Sequence, residues 1–140
     1  MPLAYLLDGS PLCNRVDQMD GGEGSDLFTI GTGATGLTLA TADTIVGFVS
    51  GVDRLGLGLA ATASNYHASA TASADFDAAL AAANAVFAAD AGGAKAYVFQ
   101  FDGTHGFLFI DRKADGTAAD EVIVLTGLNN NSFALTDIVA

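Results

Sequence analysis

Three observations predict a mainly β protein with one α-helix. Short apolar runs recur at residues 3–7, 28–30, 37–39, 96–101, 106–110 and 121–125, bounded by glycine, aspartate and other turn formers. Runs of that length between turn residues read as strands. Only residues 75–90 show sustained helical spacing, with Phe76, Leu80, Ala83 and Phe87 forming one apolar stripe. Asp102-Gly103 lies between two aromatic runs, a strong hairpin signal. The expected C-terminal half is therefore a set of antiparallel strands packed on that helix.

Composition narrows the function. A chain of 140 residues, 51% apolar, is most simply one domain with a proper core. Sixteen acidic residues against five Lys and Arg give a formal charge of −11, which repels nucleic acid and anionic membrane and favours divalent cations. Cys13 is the only cysteine, so no internal disulfide and no thiolate metal cluster forms. No run approaches the roughly 18 apolar residues of a membrane helix, so membrane insertion is not expected. Residues 1–7 are too short for a leader peptide and Asp8 interrupts them, so export would proceed without cleavage.

Taken in order, residues 3–7 form a strand closed by the turn Asp8-Gly9-Ser10-Pro11, and residues 12–16 form a second. The first strand either pairs inside its own domain or adds to a neighbour's sheet edge. Next comes Asp20-Gly-Gly-Glu-Gly-Ser-Asp-Leu-Phe28. Gly21, Gly22, Gly24, Asp26 and Phe28 fill every fixed position of the nonapeptide G-G-x-G-x-D-x-U-x. Glycine permits positive φ and leaves carbonyls bare, so carbonyl oxygens and the Asp26 carboxylate can converge on a hard, oxygen-seeking cation. Calcium is the expected ion. Its expected ligands are Asp26 and the carbonyls of Gly21, Glu23 or Gly24.

Residues 42–57 follow, Ala-Asp-Thr-Ile-Val-Gly-Phe-Val-Ser-Gly-Val-Asp-Arg-Leu-Gly-Leu. Placed after the nonapeptide, this run resembles the end of the β-roll in RTX proteins and in the C-terminal domain of serralysin-type metalloproteases, where the pattern is close to A-D-x-I-x-D-F-x-x-G-x-D-x-I-D-L. The resemblance covers roughly residues 20–59 and implies a short RTX β-roll-like, calcium-binding segment. Asp43 and Asp53 match acidic positions of the pattern, as calcium ligands or as turn caps. Gly47 and Gly56 stand where the family has acidic residues, which removes two carboxylates from its second calcium site. In the family each ion lies between successive turns, so one intact repeat supplies only part of a shell. Asp17 and the turn at 31–36 are candidates to complete it, as is a second molecule.

Residues 60–74, rich in Ala, Ser and Thr, read as a connecting loop with a lone His67. In the helix, Ser73 or Asp75 can cap the first turn, Asp77 suits the positive end of the dipole, and Gly92-Gly93 marks the stop. Phe99, Phe101, Phe107 and Phe109 alternate, which predicts one aromatic core face of the hairpin, with Phe76, Leu80 or Phe87 of the helix meeting the Phe99/Phe101 or the Phe107/Phe109 pair. Asp111, Asp115 and Asp120 bracket a turn that either holds a cation or is an ordinary Asp-Gly turn. His105 is expected in solvent at the hairpin tip. Residues 129–132 are a polar loop.

The expected organisation is a single domain: a β-roll-like calcium-binding part at 1–59, the loop at 60–74, the helix at 75–91, and an antiparallel part at 95–140. Its tail, Asp137-Ile-Val-Ala140, is similar to the uncleaved signal of type I secretion substrates, which implies the type I secretion machinery as a partner. Neither His-Glu-x-x-His nor Gly-x-Ser-x-Gly nor a phosphate loop occurs, so no enzyme activity is expected. The function these features imply is a secreted, calcium-binding structural protein that assembles with copies of itself at or outside the cell surface, as a surface-layer, matrix or filament subunit. The alternative is a monomeric C-terminal secretion and folding cap.

Overall fold

Glycine and aspartate punctuate the first half of the chain so often that, among the described residues, no strand there exceeds four residues. Strands so short gain stability by stacking, and the topology stacks them. The computed structural model describes residues 4–7, 18–31, 35–90, 95–111, 118–128 and 133–140. Strands β1 (Ala4–Leu7), β2 (Gln18–Asp20), β3 (Leu27–Ile30), β4 (Asp43–Val46) and β5 (Arg54–Gly56) alternate between two sheets. In sheet A, β1, β3 and β5 run parallel; in sheet B, β2 and β4 do the same. Leu27 pairs with Arg54 and Gln18 with Thr44, so one coil takes 27 or 26 residues.

The next coil is interrupted. After β5 the chain makes β6 (Tyr66–Ala68), α1 (Phe76–Ala89) and the hairpin β7 (Tyr97–Phe101) and β8 (His105–Ile110). It then returns to the coil with β9 (Glu121–Thr126), parallel to β4, and β10 (Ile138–Val139), parallel to β5. Sheet A has the order β1-β3-β5-β10 and sheet B the order β2-β4-β9-β8-β7-β6. Sheet B thus overhangs sheet A beyond β9, where β8 and β7 pair antiparallel and β6 adds parallel.

Strands β7, β8 and β9 are buried on both faces because sheet B is the middle layer. Towards sheet A it presents Ile45, Phe99, Phe101, Leu108, Ile110, Ile123 and Leu125, which meet Phe28, Ile30, Leu55 and Ile138. Towards α1 it presents Val98, Phe107, Phe109, Val122 and Val124, which meet Phe76, Ala79, Ala83 and Phe87. The alanines let the helix approach the sheet closely. Asp75 is the cap: its carboxylate accepts from the Ala78 N–H at 2.8 Å.

The β-rich fold with a packed helix agrees with the sequence reading, and four details differ. Residues 60–74 are not wholly a loop, because Tyr66–Ala68 pairs with β7. Residues 37–39 form no strand; Leu39 is exposed in a turn. The hairpin does not gather its four phenylalanines on one face. Phe99 pairs with Leu108 and Val98 with Phe109, so Phe99 and Phe101 face sheet A while Phe107 and Phe109 face the helix. Phe76 accordingly lies 5.3 Å from Phe107 and 5.8 Å from Phe109, ring centre to ring centre. The apolar stripe of α1 buries Ala79 in place of Leu80, which is half-buried. The expected strand at 12–16, the turn at 8–11, Asp17, the Gly92-Gly93 stop, Asp115 and the loop at 129–132 lie outside the described residues.

Candidate functional site

Chain passages from sheet B to sheet A recur along one edge of the coil, joining β2 to β3, β4 to β5 and β9 to β10. Each opens near a glycine at positive φ: Gly22 at 77°, Gly47 at 77° and Gly127 at 83°. Each closes on a buried aspartate placed one residue before the sheet A strand. Asp26 is 2% exposed, Asp53 2% and Asp137 0%. The first two passages also share a second positive-φ glycine, Gly24 and Gly51, two residues before the aspartate.

Hydrogen bonds tie these turns together. Asp53 Oδ2 accepts from the N–H of Val49 in its own turn at 2.8 Å, and Oδ1 accepts from the N–H of Asp26 in the coil before at 3.0 Å. Asp137 repeats the device. Its Oδ2 accepts from Ala134 N–H in its own turn at 3.0 Å, and its Oδ1 accepts from Gly51 N–H in the coil before at 2.9 Å. The Ser50 hydroxyl also donates to Asp137. Arg54 donates to the Asp53 carbonyl at 2.9 Å and lies 3.7 Å from Asp137. Each carboxylate therefore fastens its own turn and the turn stacked beside it. Such charge-assisted bonds to buried carboxylates are among the stronger ones available to a small fold.

The nonapeptide turn, residues 21–26, starts this ladder. Asp20 Oδ1 accepts from Gly22 N–H at 3.0 Å. A Cβ on Gly21 would collide with the Asp26 carboxylate, so the carboxylate lies folded over Gly21 and only glycine fits beneath it. Glu23 and Gly24 are exposed at the tip. The Asp26 carboxylate and the backbone carbonyls of this turn are oxygen donors, the kind that calcium takes, and the glycine cradle leaves room beside the carboxylate. Among the described residues no group of three or more His, Cys, Asp or Glu side chains converges. An ion in this turn would thus draw chiefly on carbonyls of residues 21–24 beside Asp26.

Of the predicted site residues, the structure brings together Gly21, Glu23, Gly24 and Asp26 in one turn and Asp53 in the next. Asp53 has both oxygens engaged by backbone N–H groups, which is the turn-cap role. Asp43 is elsewhere. It opens β4, whose far end leads into the glycine turn. Three residues of strand rise, about 10 Å, separate it from that end. Its own N–H donates to the Thr35 hydroxyl at 2.8 Å, which in turn donates to the Val122 carbonyl at 2.7 Å.

Sequence reasoning missed the third member, Asp137, and its partners Ser50, Gly51 and Arg54. For Gly51 and Arg54 the available signal was the recurrence of Gly24-Ser-Asp-Leu-Phe28 as Gly51-Val-Asp-Arg-Leu55, a pattern that the turn before Asp137 does not share. Tyr66 also belongs to this neighbourhood: burial first, then the charge of Asp137, raise its phenol above the ordinary range. His105 opens β8 half-buried, rather than standing in solvent, while His67 on β6 is exposed.

The fold and site together define a short parallel β coil with aspartate-fastened turns, closed by an antiparallel extension and a helix. The chain matches no known protein-family model, and no curated protein is similar enough in sequence to count as a relative.

Proposed function

We propose that this chain is a secreted, non-enzymatic, calcium-binding structural protein of the RTX type that associates with copies of itself at or outside the cell surface. The stacked glycine–aspartate turns carry this reading. They stand in register on one edge of a parallel coil, and the first keeps a complete nonapeptide with Asp26 folded over Gly21. The type I secretion machinery is the proposed export partner, acting on the tail that ends in Asp137-Ile-Val-Ala140. In the folded chain that tail is tied into sheet A, so the machinery reads it before the coil closes.

One observation favours the second reading, a monomeric closing cap. Sheet B overhangs sheet A at the far end, so another coil cannot stack there on both sheets at once. A step of that kind ends a solenoid, as terminal capping repeats do.

Light scattering of chelated protein, repeated after calcium is added to millimolar concentration, separates the readings, and a thermal melt in each condition reports binding. The structural-protein reading expects a higher Tm with calcium, abolished by Asp26→Ala, and a mass above the monomer. An unchanged Tm in wild type removes the calcium site. A strictly monomeric mass at high concentration removes self-association and leaves the cap.

A further inference from the structure

We infer that residues 133–140 are an exchangeable strap, and that copies of this chain associate by trading it, each strap docking on the partner's β5 and 47–53 turn. The inference rests on the self-association proposed above and supplies its contact surface.

The docking site is already visible within one chain. Phe133 stacks on Phe99 at 5.0 Å and lies 5.6 Å from Phe48. Ile138 is buried against the core and pairs with Leu55. Leu57 N–H donates to the Val139 carbonyl at 3.1 Å and Ala61 N–H to the Ile138 carbonyl at 3.3 Å. Asp137 takes the Gly51 N–H and the Ser50 hydroxyl. All these partners lie far away in sequence, so a strap from a second copy would meet identical atoms.

Position makes release simple. β10 is the edge of sheet A and is held to β5 by two register pairs, so its release breaks no other strand pairing. The vacated site exposes Phe48 and Leu55, and covering that apolar surface again drives refilling by some strap. Whether that strap is the chain's own depends on concentration. A short tether presents its own segment at an effective concentration on the order of millimolar, so closed monomers dominate in dilute solution and exchange grows on concentration. Charge points the same way. Copies carrying −11 each repel at any fresh surface contact, whereas exchange reuses an apolar interface the fold has already made.

The test uses two full-length variants in a Cys13→Ser background, one with Gly56→Cys and one with Val139→Cys, positions that are Cα partners across β5 and β10. The two are mixed, refolded together from urea at low and high concentration, and oxidised. Exchange predicts a mixed disulfide dimer on a non-reducing gel whose yield climbs with concentration. A dimer seen by light scattering without the mixed disulfide overturns exchange and leaves self-association on another surface. A monomer at every concentration overturns both. A second measurement needs no added thiols. Asp137→Ala weakens the latch equally in closed and exchanged forms, so the return of dimer to monomer after dilution should quicken at least tenfold. An unchanged return rate also overturns the proposal.

Discussion

Removing the Asp137 carboxylate should be among the most damaging single changes outside the aromatic core. The side chain is fully buried and accepts from Ala134 N–H, Gly51 N–H and the Ser50 hydroxyl. Asp137→Ala leaves two backbone donors and a hydroxyl without their acceptor. Hydrogen bonds to a charged group contribute about 1.5–3 kcal/mol each, yet the three share one carboxylate and water reaches the vacated space. A loss of about 3–5 kcal/mol is the expected sum, and for a chain of this size that is a fall in Tm of roughly 10–15 °C. The Arg54 contact adds little, because its guanidinium is about a third exposed and 3.7 Å away. Arg54→Ala should cost no more than about 1 kcal/mol. Urea titration of wild type and both variants measures the difference. If Asp137→Ala and Arg54→Ala lower the midpoint equally, the buried carboxylate is not what fastens the tail.

Gly21→Ala should destabilise by about 1–3 kcal/mol, since the new methyl displaces the Asp26 carboxylate. Combined with Asp26→Ala its cost should shrink, and strict additivity in the thermal double-mutant cycle would contradict the folded-over geometry. Phe76→Ala removes the ring between Phe107 and Phe109 and should cost about 3–5 kcal/mol; a loss under about 1 kcal/mol in urea melts would mean that α1 is loosely docked. Tyr66 has a raised phenol, so its folded state favours the protonated form. The stability this contributes is complete below the ordinary tyrosine value of about 10 and is lost as pH rises beyond it. Wild type should therefore weaken above pH 10 more steeply than Tyr66→Phe, and parallel slopes would refute the assignment.

What the sequence revealed was local chemistry. The helix follows from one apolar stripe and from an aspartate able to reach the Ala78 N–H, and the hairpin from Asp102-Gly103 between aromatic runs. Burial that depends on distant partners was hidden. Tyr66–Ala68 is an edge strand of three residues, and its alternation, with Tyr66 and Ala68 against the core and His67 exposed, is too short to mark a strand by itself. Residues 37–39 carry two leucines yet form a turn, because the N–H groups of Thr41 and Ala42 both bond back to the Thr38 carbonyl. The aromatic alternation was visible, but the register that sends Phe107 and Phe109 to the opposite side from Phe99 is set across the hairpin. At the site, the nonapeptide announced Asp26. Asp137 stayed hidden because its turn lacks the glycine pattern and reaches its partners only after the long detour through α1.

That detour also sets a timetable. Asp43 pairs with Ile123 and Leu55 with Ile138, so the coil begun early in the chain is finished by residues some 80 positions further on. Phe28 and Phe48 wait for Phe133 before their side of the core is covered. Pairings of such long range slow folding, since the chain loses loop entropy before the contacts repay it. A growing chain of this protein can form α1 and its hairpin as soon as they are synthesised, while the 47–53 turn remains unfastened until Asp137 arrives.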